Sequence, residues 1–376
     1  MCCCFFRISS GMIPSGWQAF PICIPRIWIG WPGKGFFLNS AIPRTLYVWH
    51  AGMICLQRPG RDHGYYTNLE EKPIDNYATP TLPRIFSENG YRTAAVGKMH
   101  FFPAREHHGF GEMYLMEELP KRRQDDQYLQ YLKEKGLGDI QNQHGVRPLL
   151  YHVPQNSVQK LEDHGTMWVA DRSIQWLEEN GEEPFFLMCG FIQPHPPWNI
   201  PKELDGLYRE AVIPEPVPRS RMPMDGNEPN PWFGDWDSRE QKEAIRKAYY
   251  TAVSMVDMAV GKILDALREK GLLDNTLIIF TSDHGEMLQD KGYYSKELAY
   301  EGSVRVPLLL RYPKRLAGGR KIGALWIASI CCPPAWMSAD LPIRTGSCGE
   351  NPFSGWRRRM IGNSSFLLPA WDTGVG

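Results

Sequence analysis

Asp283 and His284 stand side by side just after an apolar, β-branched run, Leu277-Ile278-Ile279-Phe280. A carboxylate and an imidazole so placed can both ligate a hard or borderline divalent cation. Their position adds to their type, because open α/β sheets bind ligands at the carboxyl ends of their strands. Lys296, twelve residues after His284, adds a cation. Two further groups share this setting. Residues 92–96 read as a strand that ends in Gly97-Lys98-Met99-His100. Residues 184–191 read as another, ending in Gln193-Pro194-His195-Pro196-Pro197, whose prolines stiffen the loop and fix where His195 points. Singly, each group reads as an ordinary turn. Together, three chemical groups close three strands.

The elements that must hold these groups alternate. Residues 81–89 have helical apolar spacing, with Gly90 as a stop. A second helix is predicted over 126–135, and an amphipathic one over 166–180 with Trp168, Val169, Ile174 and Trp176 on its apolar side. Residues 239–270 form a long helix, with Ala244, Tyr249, Val253, Val256, Ala259 and Ile263 near one stripe and Asp257 beside them. The run from Val306 to Leu310 reads as the strand after the Asp283 turn. Strands separated by helices are the pattern of an α/β doubly wound sheet. Residues 101–160 read mainly as loops, and 200–237 as a long surface loop of the kind that is functional or mobile. His107, His108, His144, His152 and His164 read as surface or core histidines. No internal repeat is found.

Composition narrows the partners. The chain has 376 residues with 42 basic and 42 acidic side chains, so zero net charge gives no reason to expect a nucleic acid. No apolar run is long enough to span a membrane. Met1-Cys2-Cys3-Cys4-Phe5-Phe6 lacks the basic start and long apolar core of a signal segment. Of the nine cysteines, only Cys189 lies in the middle of the chain. No compartment follows from this.

The stretch from Thr276 to Pro313 resembles the sulfatase family of the alkaline phosphatase superfamily. That family carries a strand ending in Asp-Asn-Gly or Asp-His-Gly, then a lysine, then Glu-x-x-x-x-Val-Pro. Here the last run is Glu301-Gly302-Ser303-Val304-Arg305-Val306-Pro307. Gly97-Lys98-Met99-His100 resembles the family's Gly-Lys-x-His, and the segment 61–68 the region after its nucleophile helix. The resemblance implies an alkaline-phosphatase-like α/β/α sandwich. It implies Asp283 and His284 as metal ligands, Lys98, His100, His195 and Lys296 as catalytic residues around the sulfate, and Asn68 as a substrate contact or else a surface turn. It implies a divalent metal, Ca²⁺ first, with Mg²⁺ or Mn²⁺ as alternatives. It also implies a formylglycine nucleophile made from a cysteine by a sulfatase-maturing enzyme.

Both ends depart from the family. Residues 1–56 and 323–376 show neither period 2 nor period 3.6, and neither the Cys-x-(Pro/Ala)-x-Arg nucleophile motif nor the N-terminal Asp ligands is present. Reading triplets from the third base of each codon changes this. Residues 7–13 then allow Asp-Gln-Gln-Arg-x-Asp, and 24–37 allow Thr-Pro-Asn-Leu-Asp-Arg-Leu-Ala-x-Glu-Gly-Val-Phe. Residues 44–52 allow Tyr-Pro-Leu-Cys-Val-Ala-Arg-Arg, with the cysteine codon straddling Tyr47 and Val48. Residues 333–341 allow Pro-Thr-x-Leu-Asp-Val-Cys-Gly-Leu. The expectation is a sulfatase-like catalytic domain over 57–322 flanked by out-of-frame ends, with the central strand's neighbour missing and this exact chain inactive. The expected function of the intact parent is hydrolysis of a small-molecule or carbohydrate sulfate ester. The alternatives are a phosphonate monoester or phosphodiester hydrolase of the same superfamily, or a degenerate binding protein.

Overall fold

The computed structural model describes residues 2–8, 36–42, 81–151, 153–218, 238–296, 298–314, 320–322 and 326–327. The elements, in order, are β1 (Cys2–Ile8), β2 (Phe36–Ile42), α1 (Leu82–Glu88), β3 (Arg92–Gly97), β4 (Glu112–Leu115), α2 (Gln127–Glu134), β5 (Gln155–Asn156), α3 (Gly165–Asn180), β6 (Phe185–Phe191), β7 (Asn199–Ile200), α4 (Arg239–Glu269), β8 (Thr276–Ser282), α5 (Glu301–Val304), β9 (Val306–Arg311), β10 (Arg320–Ile322) and β11 (Trp326–Ile327). Among the described residues, nine strands form one sheet in the order β10-β2-β9-β8-β1-β6-β3-β4, with β11 also on β2. The strands β8, β1, β6, β3 and β4 are parallel.

Side-chain alternation in β6 builds the two outer layers. Phe185, Leu187, Cys189 and Phe191 join the core cluster with Trp176 and Leu177 of α3 and Tyr249, Ala252 and Ile263 of α4. Phe186 points the other way and stacks on Phe86 of α1 at 5.0 Å and on Phe110 at 5.6 Å. A fully buried strand with helices on both faces is what a period-2 side-chain direction dictates in a three-layer α/β/α domain.

Three expectations need correction. The central strand does have its neighbour: β1 runs parallel between β6 and β8, Phe5 pairing with Met188 on one side and Ile279 on the other. A parallel strand in a sheet covered by helices on both faces reads as a continuous apolar run without period 2, and Cys2-Cys3-Cys4-Phe5-Phe6 is such a run. The missing period was therefore no sign of a missing strand. Second, β9 is antiparallel to β8, so this sheet with helices on both faces is mixed and not all-parallel. Third, Ala244 is exposed; the buried stripe of α4 is set by Ile245, Ala248, Tyr249, Ala252, Val256, Ala259 and Ile263. The other expected helices and strands lie within one or two residues of their predicted bounds. No helix among the described residues is long and apolar enough to cross a membrane.

At the carboxyl end of β3 the backbone turns hard against β6. Gly97 has φ +98°, and a Cβ there would sit 2.0 Å from the Gly190 carbonyl oxygen. That turn starts the loop carrying Lys98, whose amide donates to the same oxygen at 2.8 Å. Gly97→Ala is expected to destabilise the fold by ~2 kcal/mol or more, measured as a lowered urea midpoint; an unchanged midpoint would show that this close approach does not exist.

Candidate active site

Four parallel strands end at one edge, and each is followed within about four residues by charged or imidazole groups. Lys98 follows β3, Glu117 and Glu118 follow β4, His195 follows β6, and Asp283 and His284 follow β8. Register lines up the ends: Gly97 pairs with both Leu115 and Gly190, and Ile8 with both Phe191 and Ser282.

Asp126 begins the positioning chain. It caps α2 by accepting from the Leu129 amide at 2.9 Å, and its other oxygen accepts from the Glu117 amide at 2.7 Å. Glu117 in turn accepts from the Met99 and His100 amides, both at 2.8 Å. This pins the turn after β3, where His100 takes a left-handed φ of 55°. Burial raises the Asp126 carboxyl to about 7, against the pull of its amide donors. Burial raises Glu117 too.

Glu118 is the hub of the charged cluster. Its Oε2 accepts from Lys98 Nζ at 3.0 Å; its Oε1 meets Arg147 and lies 3.2 Å from His195 Nδ1. Burial would raise this carboxyl, but the Lys98 and Arg147 cations outweigh it and hold it well below the usual range, while the neutral His195 ring adds only its Nδ1 proton. His195 Nδ1 also lies 2.6 Å from the Pro196 carbonyl oxygen, which can only accept. Nδ1 therefore carries the proton, and Nε2 presents a lone pair to Lys296 Nζ at 3.2 Å. Burial first, then Lys296 and Lys98, lower His195 to about 3, so it is neutral at pH 7. Lys296 is lowered by burial and by Lys98.

The loop that delivers Lys296 is tied at several points. Glu286 accepts from the Ser295 amide at 2.6 Å, and Ser303 Oγ donates to the Lys296 carbonyl. Arg246, buried in α4, donates to the Leu288 carbonyl at 3.1 Å and lies 3.6 Å from Asp290. The Asp-His-Gly turn is shaped by contact as well: a Cβ on Gly285 would meet the Gly302 carbonyl oxygen at 2.0 Å.

Asp283 and His284 fit a divalent cation by a structural test. His284 Nδ1 lies 2.7 Å from the Gly285 carbonyl, so that nitrogen is the donor and Nε2 keeps its lone pair. Nε2 is buried, makes no hydrogen bond, and lies 3.7 Å from Asp283 Oδ2. A ligating histidine characteristically gives its other N–H to a carbonyl or carboxylate. Among the described residues, no group of three or more His, Cys, Asp or Glu forms a fuller set of ligands.

The structure thus brings together Lys98, His195, Asp283, His284 and Lys296 in one buried cluster. His100 is placed beside it by its backbone bond to Glu117. Asn68, His152 and the 44–52 segment lie outside the described residues. His108, His144 and His164 are buried, each lowered chiefly by burial, and His107 is exposed. Glu117, Glu118 and Arg147 were missed from sequence. The first two carried a legible signal, since they follow a strand just as Lys98 does; Arg147 reaches in from a 3₁₀ turn that no pattern marks.

The Sulfatase family model matches residues 53–324, well over half of the chain. The chain belongs to the sulfatase family. An arylsulfatase of Clostridium perfringens is 31% identical over 281 residues, covering 64% of this chain and 54% of that protein. Iduronate 2-sulfatase of Mus musculus is 32% identical over 259 residues, covering 63% and 46%. This sulfatase chain thus spans about half the length of these curated relatives. The crystal structure of a phosphonate monoester hydrolase of Agrobacterium radiobacter has a TM-score of 0.71 at 21% identity, over 90% of this chain and 74% of that one, which establishes the alkaline-phosphatase-like fold.

One consequence of the Asp126 clamp can be measured through pH. Its carboxyl is raised from 3.8 to about 7 by folding, so its stabilising contribution is complete below 3.8 and is lost as pH rises through about 7. The stability of the wild type relative to Asp126→Asn should therefore fall across that window in urea titrations at several pH values. A flat difference would show that Asp126 ionises normally.

Proposed function

We propose that this site hydrolyses sulfuric esters. The observation that carries the reading is the convergence of Lys98, Lys296 and His195 on the pocket side of the Asp283-His284 pair. Two lysines from separate strands supply charge where the peripheral oxygens of a sulfuryl group gain it, and buried charges act more strongly there than in water. His195 is neutral and shares a proton with Lys296 Nζ across 3.2 Å. That proton lies ready for the oxygen of the departing alcohol, while Pro196 and Glu118 hold the ring from behind. Asp283 and His284 would hold the divalent cation, with Ca²⁺ named from the family resemblance and not from this pair; when bound it supplies charge stabilisation at the sulfate oxygens. The natural ester is read as a small-molecule or carbohydrate sulfate. The sulfatase likenesses support this over the phosphonate or phosphodiester alternative, since the phosphonate hydrolase resemblance extends to fold.

The nucleophile and the remaining metal ligands are assigned to the segment that precedes the family match. No Asp or Glu precedes Asp62 in the printed chain, yet β1 ends in register with Ser282 and Phe191, beside the metal pair. The third-base reading places carboxylates just after that strand and a cysteine across codons 47 and 48. It assigns 1–56 and 323–376 to an out-of-frame translation around a catalytic domain of 57–322. Two supports are the limits of the family match and the missing acids. In the intact parent the cysteine would become the formylglycine that attacks sulfur, with a maturing enzyme as partner.

Turnover decides. The frame-corrected protein with Ca²⁺ should hydrolyse an aryl sulfate in preference to an aryl phosphonate, while the chain as printed should be inactive. Faster phosphonate turnover would shift the assignment to the alternative, and turnover of neither, with metal bound, would leave a binding protein. In the active form Lys296→Ala should lower the rate by about 10²-fold or more; unchanged kcat and KM would remove Lys296 from the site. His195→Ala should cost more with poor leaving groups than with activated aryl esters, and an equal loss along such a series would reduce it to a positioning role.

A further inference from the structure

Glu118 has no part in the steps above that require a carboxylate. It contacts Lys98, His195 and Arg147, and the two cations hold it charged. It is nonetheless buried, with a side chain 8% exposed, and both oxygens are engaged. A buried, permanently charged carboxylate next to a site for anions works against binding unless its repulsion has a use.

That use follows from the chemistry of the competing esters. A sulfate monoester and a phosphate monoester have the same tetrahedral shape and nearly the same size. They differ in charge: the sulfate carries one negative charge, and the phosphate about two once pH exceeds its second pKa of about 6. Shape cannot separate them, but the net charge of the pocket can. Apart from the Asp283-His284 pair and the divalent cation it would hold, the charged groups of the cluster are Lys98, Lys296 and Arg147 against Glu118. Glu118 cancels one cation. Its field reaches the far side of the pocket, where it opposes the lowering of Lys296.

We propose that Glu118 is a specificity-determining residue that keeps this pocket selective for singly charged esters over dianionic phosphate monoesters. The inference rests on the reading of this cluster as an ester-anion site. Glu118 acts through Lys98 and His195: it withholds one unit of positive charge that a dianion would need and a monoanion does not. Arg147, whose side chain is 36% exposed, is its counterweight from the loop side.

The test is a ratio, because a purely structural role would weaken both ligands alike. The full chain is titrated calorimetrically with phenyl sulfate and phenyl phosphate at about pH 8, where the phosphate is a dianion. Glu118→Gln should raise the phosphate-to-sulfate affinity ratio by about ten-fold or more, since a unit charge at this range and burial is worth at least one decade. Glu118→Asp, which keeps the charge, should restore the ratio to within about two-fold of wild type. Arg147→Gln should move the ratio the other way, toward sulfate, and carries the test if Glu118→Gln fails to fold. A ratio unmoved by Glu118→Gln or Arg147→Gln, in a wild type that binds phenyl sulfate, would overturn the role of Glu118 alone. A wild type that binds neither ester would overturn the ester-anion site and this inference with it.

Discussion

Two ammonium groups share one buried pocket, and most of the local structure exists to make that tolerable. Lys98 and Lys296 repel one another and are both cut off from water. Like charges in a medium of low polarity are costly at such range, so an opposing charge must sit among them. Glu118 is that charge. It can act only because β4 ends beside β3, because Asp126 fixes the amide of Glu117, and because Glu117 fixes the turn that aims Lys98. The neutral His195 then stands between the carboxylate and the second lysine and passes the constraint to the Asp283 side of the sheet.

Much of this was legible in the sequence where chemistry coincides with a strand end. Lys98, His195, Asp283, His284 and Lys296 could each be dismissed as turn residues. It was their recurrence after apolar runs that marked them, and the sheet places those runs side by side. Glu118 obeyed the same rule but followed a four-residue strand, too short for its pattern to stand out. Arg147 could not be found at all, because a contact made by a long side chain from a loop leaves no periodic trace. The error at β1 has the opposite origin. Cys2-Cys3-Cys4-Phe5-Phe6 is apolar throughout, so it carries no alternation, and its surroundings carried none either. The antiparallel sense of β9 was equally hidden, since nothing in Val306-Pro307-Leu308-Leu309-Leu310 encodes direction.

The glycines near the site show how backbone contact limits the motif itself. Asp-His-Gly must end in glycine because the turn presses on Gly302, and Gly302 belongs to the run that leads into β9. Two stretches that look like separate motifs in the sequence are thus two sides of one contact. The same contact sets where Lys296 emerges between them, because its carbonyl is held by Ser303.

The place of β1 also governs how the molecule can be made. Its first residues pair with Phe186 on one side and Thr276 on the other, partners encoded far down the chain. The strand that joins the Lys98 half of the sheet to the Asp283 half is synthesised before its partners and must wait for both. Until β8 has been synthesised, an unpaired apolar segment remains open to wrong partners, and contacts this distant in sequence close slowly. The buried cluster of Lys98, His195, Asp283, His284 and Lys296 spans that same junction, so it is assembled late and cannot precede the closing of the sheet.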